Sequence, residues 1–489
     1  MPTWIGADPD DAYRRRVGVA ILSATAVLVV LALVAALLVT RRTAVESAAG
    51  IGDPYYPRAG GSGYDVTAYD VHLSFDPPTG RLNATTTVTL TPVDTLSVLH
   101  LDLALPVESV RLGATVLRHV QSDGDLAVTA APLGPLPGAF EAGREIRLEV
   151  AYSGRPADVD LGGEGAVYTS GDETLIAGEP EGASAWYPVN EHPSDPARFA
   201  VTATVPSGYQ AISVGRLVGF DAGPGVDVWR WATDEPTVSY ATMLAVGLYD
   251  VVQEQVLVGG VETQAVYAVS RRVADGDRAM QWLRTSPTAA DTLRPWLGAY
   301  PLTSIGGIVP GANPWWGGLE TLGRPIYHPQ VVGSDAVLHH ELAHMWLGDS
   351  VTLQRWDDLF INESLATYAE WLAEQARGRG SPQSRFDDLY ARAPDSFWRQ
   401  RLSDPGAGRQ LFTRVYDRGA MAVHATRVAM GDEAFFAFFG RWAAQRGPRS
   451  LEQWRAQAQE ASSADLGPLF SAWLDGTSKV PRRPELGFR

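Results

Sequence analysis

The chain has no cysteine in 489 residues. That excludes disulfides, cysteine-linked lipid anchoring and the cysteine-rich, closed kind of structural zinc site. Lysine is nearly missing as well: Lys479 stands alone among forty basic residues, the rest being arginine. We read this as a composition bias with no function attached. Positive charge is also in short supply. Fifty-six acidic residues against forty basic ones leave a formal net charge of −16, which argues against a nucleic-acid partner and for an acidic, solvated surface. No internal repeat is present. Hydrophobic residues at 45% and charged residues at 20% describe a globular chain long enough for two or more domains with full cores.

Near the N-terminus, residues 17–40 form an uncharged run of twenty-four, bracketed by Arg14-Arg15-Arg16 and Arg41-Arg42. At about 1.5 Å per residue, such a run crosses a hydrocarbon core of roughly 30 Å. A cleaved signal peptide has an apolar core of only about 7–15 residues. The pattern predicts a cytoplasmic segment at 1–16 and a transmembrane helix at 17–40. Three arginines before the span and two after it place the body of the chain on the extracytoplasmic side of the cell membrane, single-pass.

Residues 43–63 carry Gly50, Gly52, Pro54, Pro57, Gly60, Gly61 and Gly63 and read as a linker. From 64 to 258 the texture is alternating and β-branched, as in Thr85-Thr86-Thr87-Val88-Thr89-Leu90, and predicts an antiparallel β-sandwich domain. From 259 to 480 it becomes mainly helical, with helices expected at 275–286, 289–298, 335–348 and 358–376 and a strand at Ser304–Val309. Residues 481–489 read as a tail. The expected fold class is therefore multidomain α and β: membrane helix, antiparallel sandwich, then a mainly α-helical domain.

The helical part holds His340-Glu341-Leu342-Ala343-His344, followed after eighteen residues by Glu363. Residues four apart share a helix face, so both imidazoles can reach one metal ion. Glu341, one step round, can act on a water without being a ligand. Glu363, on a second helix packed antiparallel to the first, supplies a third donor and leaves the fourth position open, as in catalytic zinc sites.

With these residues assembled, the chain resembles the aminopeptidase N family of gluzincin zinc metallopeptidases, over roughly residues 64–480. The match rests on His340 to Ser350, on the spacing to Asn362-Glu363, on Gly317-Gly318-Leu319-Glu320-Thr321 and on Val415-Tyr416-Asp417-Arg418-Gly419. The resemblance implies a thermolysin-like catalytic domain and one zinc ion held by His340, His344 and Glu363. It implies Glu341 as general base and Tyr416 as oxyanion donor. Gly317, Gly318 and Glu320 would bind substrate, with Glu320 on the free α-amine. Glu179, in Glu179-Pro180-Glu181, is the expected second amine ligand, with Glu181 as its rival. Trp315 and Trp316 are candidates for the side-chain pocket.

Two departures from the family pattern stand out. Met345 replaces the usual glutamine after the second histidine. The sequence also stops soon after Trp473-Leu474-Asp475, so it reads as a short form without the large C-terminal helical domain. The expected activity is that of a membrane-anchored aminopeptidase acting on peptides with a free N-terminus. The rival readings are a thermolysin-type zinc endopeptidase, which has no use for Glu320, and a catalytically silent zinc-binding surface protein, which would have lost Glu341 or Tyr416.

Overall fold

The computed structural model describes residues 44–132, 138–161 and 165–488. Its first body is built on an eleven-stranded sheet in which Tyr64–Asp76, Arg81–Pro92, Ile146–Gly154 and Arg198–Pro206 are central. A second, four-stranded sheet contains Gln210–Ser213, Met243–Gly247, Glu173–Ala177 and Val167–Ser170. Strand alternation explains the core. Tyr64 and Val66 point inward; a bulge at Val66/Ala68 then shifts the phase, and Tyr69, Val71, Leu73 and Phe75 are the buried set. The expectation of a purely antiparallel sandwich needs correcting. Arg198–Pro206 pairs parallel to Tyr64–Asp76, with Thr202 opposite His72. The long excursion between the two strands is what lets a parallel neighbour form.

The second body opens with Tyr249–Val258, which pairs along its length with Val261–Ser270 across Gly259-Gly260. Tyr249–Val258, read from the sequence as the end of the sheet domain, is thus one arm of a hairpin with the first strand beyond it. Val261–Ser270 pairs parallel with the fully buried Ser304–Val309. Helices α1 (Gly276–Leu283) and α2 (Ser286–Leu297) connect them. The short strand Gly318–Leu319 forms the sheet edge, antiparallel to Ile326–Tyr327. Helix α3 (Asp335–Ala343) follows, then α4 (Leu365–Ala376), which packs against it. Helices α5 (Pro382–Arg392), α6 (Asp417–Met430), α7 (Asp432–Ala443) and α8 (Leu451–Glu460) complete the core.

The stretch expected as a linker is packed structure. Val45–Glu46 pairs parallel with Leu96–Asp102 at the sheet edge. Asp53, wholly buried, accepts from the Trp356 amide at 2.9 Å and meets His192 Nε2 at 3.3 Å. Tyr55 donates to Asp404 at 2.6 Å, and Tyr56 sits edge-on to Trp356 at 5.6 Å. These contacts strap the sheet body to the helical one. The expected tail is packed too: Leu486 and Phe488 are buried, and Trp473 Nε1 donates to the Leu486 carbonyl at 3.0 Å.

Residues 17–40, expected as the membrane helix, lie outside the described residues. Among the described residues no helix is long and apolar enough to cross a membrane. The fold class is corrected to a mixed, sheet-rich body followed by a helical one, and the expected membrane partner and single-pass cell-membrane placement are withdrawn with the helix.

Candidate active site

The edge strand Gly318–Leu319, α3 and the start of α4 surround a cavity of about 430 Å³. Ser334 caps α3, its hydroxyl oxygen accepting from the Val337 amide at 3.4 Å, and Asp335 favours the positive end of the helix dipole. The helix stops five residues short of its expected end. Gly348 turns the chain at φ +146°, and the amides of Asp349 and Val351 bond back to the His344 and Trp346 carbonyls at 2.9 and 3.0 Å. Glu363 comes from a wider turn: Phe360–Ser364 form a single π-helical turn before α4 begins. The extra residue in such a turn re-aims the side chains it carries.

Three donor atoms converge here. His340 Nε2 and His344 Nε2 are 3.1 Å apart, and Glu363 Oε2 lies 3.1 Å from the first and 3.4 Å from the second. Ligands about 2.0–2.1 Å from a tetrahedral zinc stand roughly 3.3–3.4 Å from one another, so the spacing fits that ion. The proton positions fit as well. His344 Nδ1 faces two acceptors, Asn362 Oδ1 at 2.6 Å and the Leu347 carbonyl at 2.9 Å. Nδ1 therefore carries the proton and Nε2 offers its lone pair inward. His340 Nδ1 faces Glu370 Oε2 at 3.6 Å, while Arg385 holds the other oxygen of Glu370 at 3.1 Å.

The remaining expected residues surround this centre. Glu341 is buried against Gly318, where any Cβ would come within 2.1 Å of its Oε1. Burial, offset in part by the two histidines, pushes its carboxyl up to about 8. The Tyr416 hydroxyl lies 3.4 Å from Glu363 Oε1. Burial and then the Glu363 charge hold this phenol well above its ordinary range, so it is a neutral donor. Glu179, Glu320 and Glu363 bring carboxylate oxygens within 4.8 Å of one another. Glu179 Oε1 is buried without a hydrogen-bond partner, and burial followed by Glu320 drives its pKa well up. Glu181 points elsewhere, into a separate cavity of about 1030 Å³ shared with Asp102 and Glu191.

Trp315 and Trp316 line the active-site cavity together with Phe412. Trp316 Nε1 donates to the Tyr168 hydroxyl of the sheet body at 3.2 Å. Sequence reasoning missed Glu370 and Phe412, which line the cavity. Glu370 carried a signal, since it lies seven residues after Glu363 and so two turns along the same face. Phe412 carried none.

A buried two-histidine, one-glutamate centre with an open side, set between a sheet edge and two helices, defines a gluzincin-type zinc metallopeptidase. Comparison with known proteins agrees. Residues 330–473 match the peptidase family M1 domain. Leucyl aminopeptidase of Saccharolobus solfataricus is 25% identical over 355 residues, 67% of this chain and 44% of that protein. Aminopeptidase N of Streptomyces lividans is 28% identical over 342 residues, 60% of this chain and 37% of that protein. The chain thus spans less than half the length of these two relatives. A solved M1 zinc metallopeptidase from Deinococcus radiodurans is 28% identical with a TM-score of 0.78, covering 89% of this chain and 98% of that one. A mutant M1 zinc metallopeptidase of the same organism, bound to a Tyr-Ser-Ala substrate, gives a TM-score of 0.77 over 89% and 100% of the two chains. Residues 330–473 thus carry a peptidase family M1 domain, and the wider chain is similar to M1 zinc metallopeptidases and aminopeptidases.

Proposed function

We propose that this protein is an aminopeptidase that removes N-terminal residues from peptides, with one zinc ion held by His340, His344 and Glu363. The observation that carries the reading is the pair Glu179 and Glu320. These buried carboxyl groups crowd together beside the metal-binding triad, and one oxygen lacks any partner. Such a pair is costly unless a cation joins it, and a peptide's α-ammonium is a cation placed one residue from the bond to be cut. The unpaired edge of Gly318–Leu319, with the Gly317 and Gly318 backbone, gives an extended substrate a strand to lie along.

When bound at the triad, zinc supplies Lewis-acid polarisation of the scissile carbonyl and acidifies water. Glu341, beside the triad and buried against Gly318, then takes a proton from the attacking water and returns it to the leaving amine. The Tyr416 hydroxyl donates to the oxyanion as it develops. Glu320 and Glu179 fix the substrate's terminus, so that only the first peptide bond reaches Glu341.

A panel of aminoacyl chromogenic amides, with and without N-acetylation and with and without chelator, tests this. Hydrolysis confined to free-amine substrates and abolished by chelator is expected. Equal cleavage of blocked peptides at internal bonds would make the protein a thermolysin-type endopeptidase instead. No turnover on any substrate, with zinc bound, would make it a silent zinc-binding protein.

A further inference from the structure

Asn362 is fully buried and touches both halves of the site at once. Its Oδ1 accepts from His344 Nδ1 at 2.6 Å, and its Nδ2 donates to Glu320 Oε1 at 3.0 Å. An amide is the group that can do both, since it has an acceptor on one side and a donor on the other. The two bonds fix each other's sense. His344 must carry its proton on Nδ1 to serve a lone pair inward, so the acceptor end of Asn362 faces the imidazole. The donor end is then left for the carboxylate. Gly348 packs against the same oxygen, where a Cβ would lie 2.4 Å away, and so holds the amide plane in place.

We propose that Asn362 is a positioning residue that ties amine recognition to the metal centre. One end keeps His344 in the ligating tautomer, and the other keeps Glu320 aimed toward the substrate ammonium. This rests on the aminopeptidase reading. It goes further by assigning the link between the two sites to one side chain that touches neither metal nor substrate.

The two ends can be separated by mutation. Asn362→Asp keeps an acceptor for His344 but puts a second acceptor against Glu320, where a donor stood. Zinc affinity, measured by chelator competition on the metal-free protein, should stay within threefold of wild type. KM for a free-amine aminoacyl amide should rise at least tenfold. Asn362→Ala removes both bonds, so zinc affinity should also fall by about 10–100-fold, the usual cost of losing a ligand's hydrogen-bond partner.

A double-mutant cycle gives the readout a merely structural role would not move. In the Glu320→Gln background, the Asn362→Asp change should raise KM less than threefold, because its target has lost the charge it disturbs. Thermal melts of each variant, with Asn362→Ser as a milder alternative to alanine, separate misfolding from these effects. An unchanged KM in Asn362→Asp, or an equal rise with and without Glu320, would overturn the proposal. Wild-type discrimination between free and acetylated substrates is measured alongside. If it is absent, the aminopeptidase reading falls; if it is present and the cycle fails, only the role of Asn362 falls.

Discussion

Gly348 and Asn362 stand so close that a Cβ on the glycine would lie 2.4 Å from the amide oxygen and 3.3 Å from His344 Nδ1. The glycine also sits at φ +146°, which side-chain-bearing residues rarely adopt. Both facts lead to one outcome for Gly348→Ala. It should destabilise the fold by about 1–3 kcal/mol and loosen zinc by tenfold or more, because the amide that orients His344 must move. Denaturant melts and chelator competition measure the two effects. Wild-type zinc affinity in a folded Gly348→Ala protein would show that the amide does not orient the ligand.

Glu363 is the carboxylate of the triad, and Glu363→Ala should leave the purified protein with strongly reduced zinc by elemental analysis. Two imidazoles alone do not fill the tetrahedral set that catalytic sites use. Full occupancy in that variant would remove Glu363 from the ligands.

Glu341→Gln should bind zinc as well as wild type and turn over nothing measurable, since the amide keeps the shape but cannot accept the water's proton. Tyr416→Phe should lower kcat by about 10²–10³, the usual loss for one oxyanion donor. A near wild-type kcat in Tyr416→Phe would assign the oxyanion to another group.

Glu320→Ala should cut kcat/KM for free-amine substrates at least tenfold, each decade corresponding to about 1.4 kcal/mol. N-acetylated substrates should be poor for wild type and gain relative to free ones in the variant. Equal losses on both substrate types would place Glu320 outside amine recognition.

Asp53 anchors the strap that joins the two bodies. Burial alone would raise its pKa, but the His192 side chain and the amides of Trp356, Tyr55 and Tyr56 outweigh that and hold it below 3.8. A carboxylate with a depressed folded pKa contributes stability that is fully present above its unfolded value. That stability is lost as pH falls through the folded one. Asp53→Ala should therefore lower the melting temperature clearly at pH 6, and the gap from wild type should narrow as pH drops below about 4. A gap independent of pH would mean that packing, not charge, makes the strap.

The proposed metal-binding triad was legible in the sequence because its key relation is local. His340 and His344 share a helix face whatever the rest of the chain does, and Glu363 needs only a neighbouring helix to reach them. The kinds of residue carry the chemistry: imidazoles and a carboxylate for a cation, a second glutamate for a proton. Even so, the helix carrying the histidines ends at Ala343, and Glu363 sits in a π-helical turn, details set by Gly348 and by packing around it.

Other features were settled only when distant parts of the chain met. Glu179 and Glu181 are two residues apart and chemically alike. One faces Glu320 and the other a separate cavity, because the loop between two sheet strands passes between the two spaces. The glycine- and proline-rich stretch before Tyr64 looks like a linker from composition, yet Asp53, Tyr55 and Tyr56 find Trp356, Asp404 and His192 hundreds or scores of residues away. The parallel strand Arg198–Pro206 has the same alternation as an antiparallel one, since side-chain period says which face is buried and nothing about the neighbour's direction. Asn362 reads as half of a short motif. Its two hydrogen bonds exist only because Glu320, forty-two residues earlier, and His344, eighteen residues earlier, are folded onto opposite ends of one amide. Local spacing determined which atoms this protein offers to a metal; the tertiary structure decided what each of them is held by, because hydrogen bonds and burial depend on partners that sequence distance does not reveal.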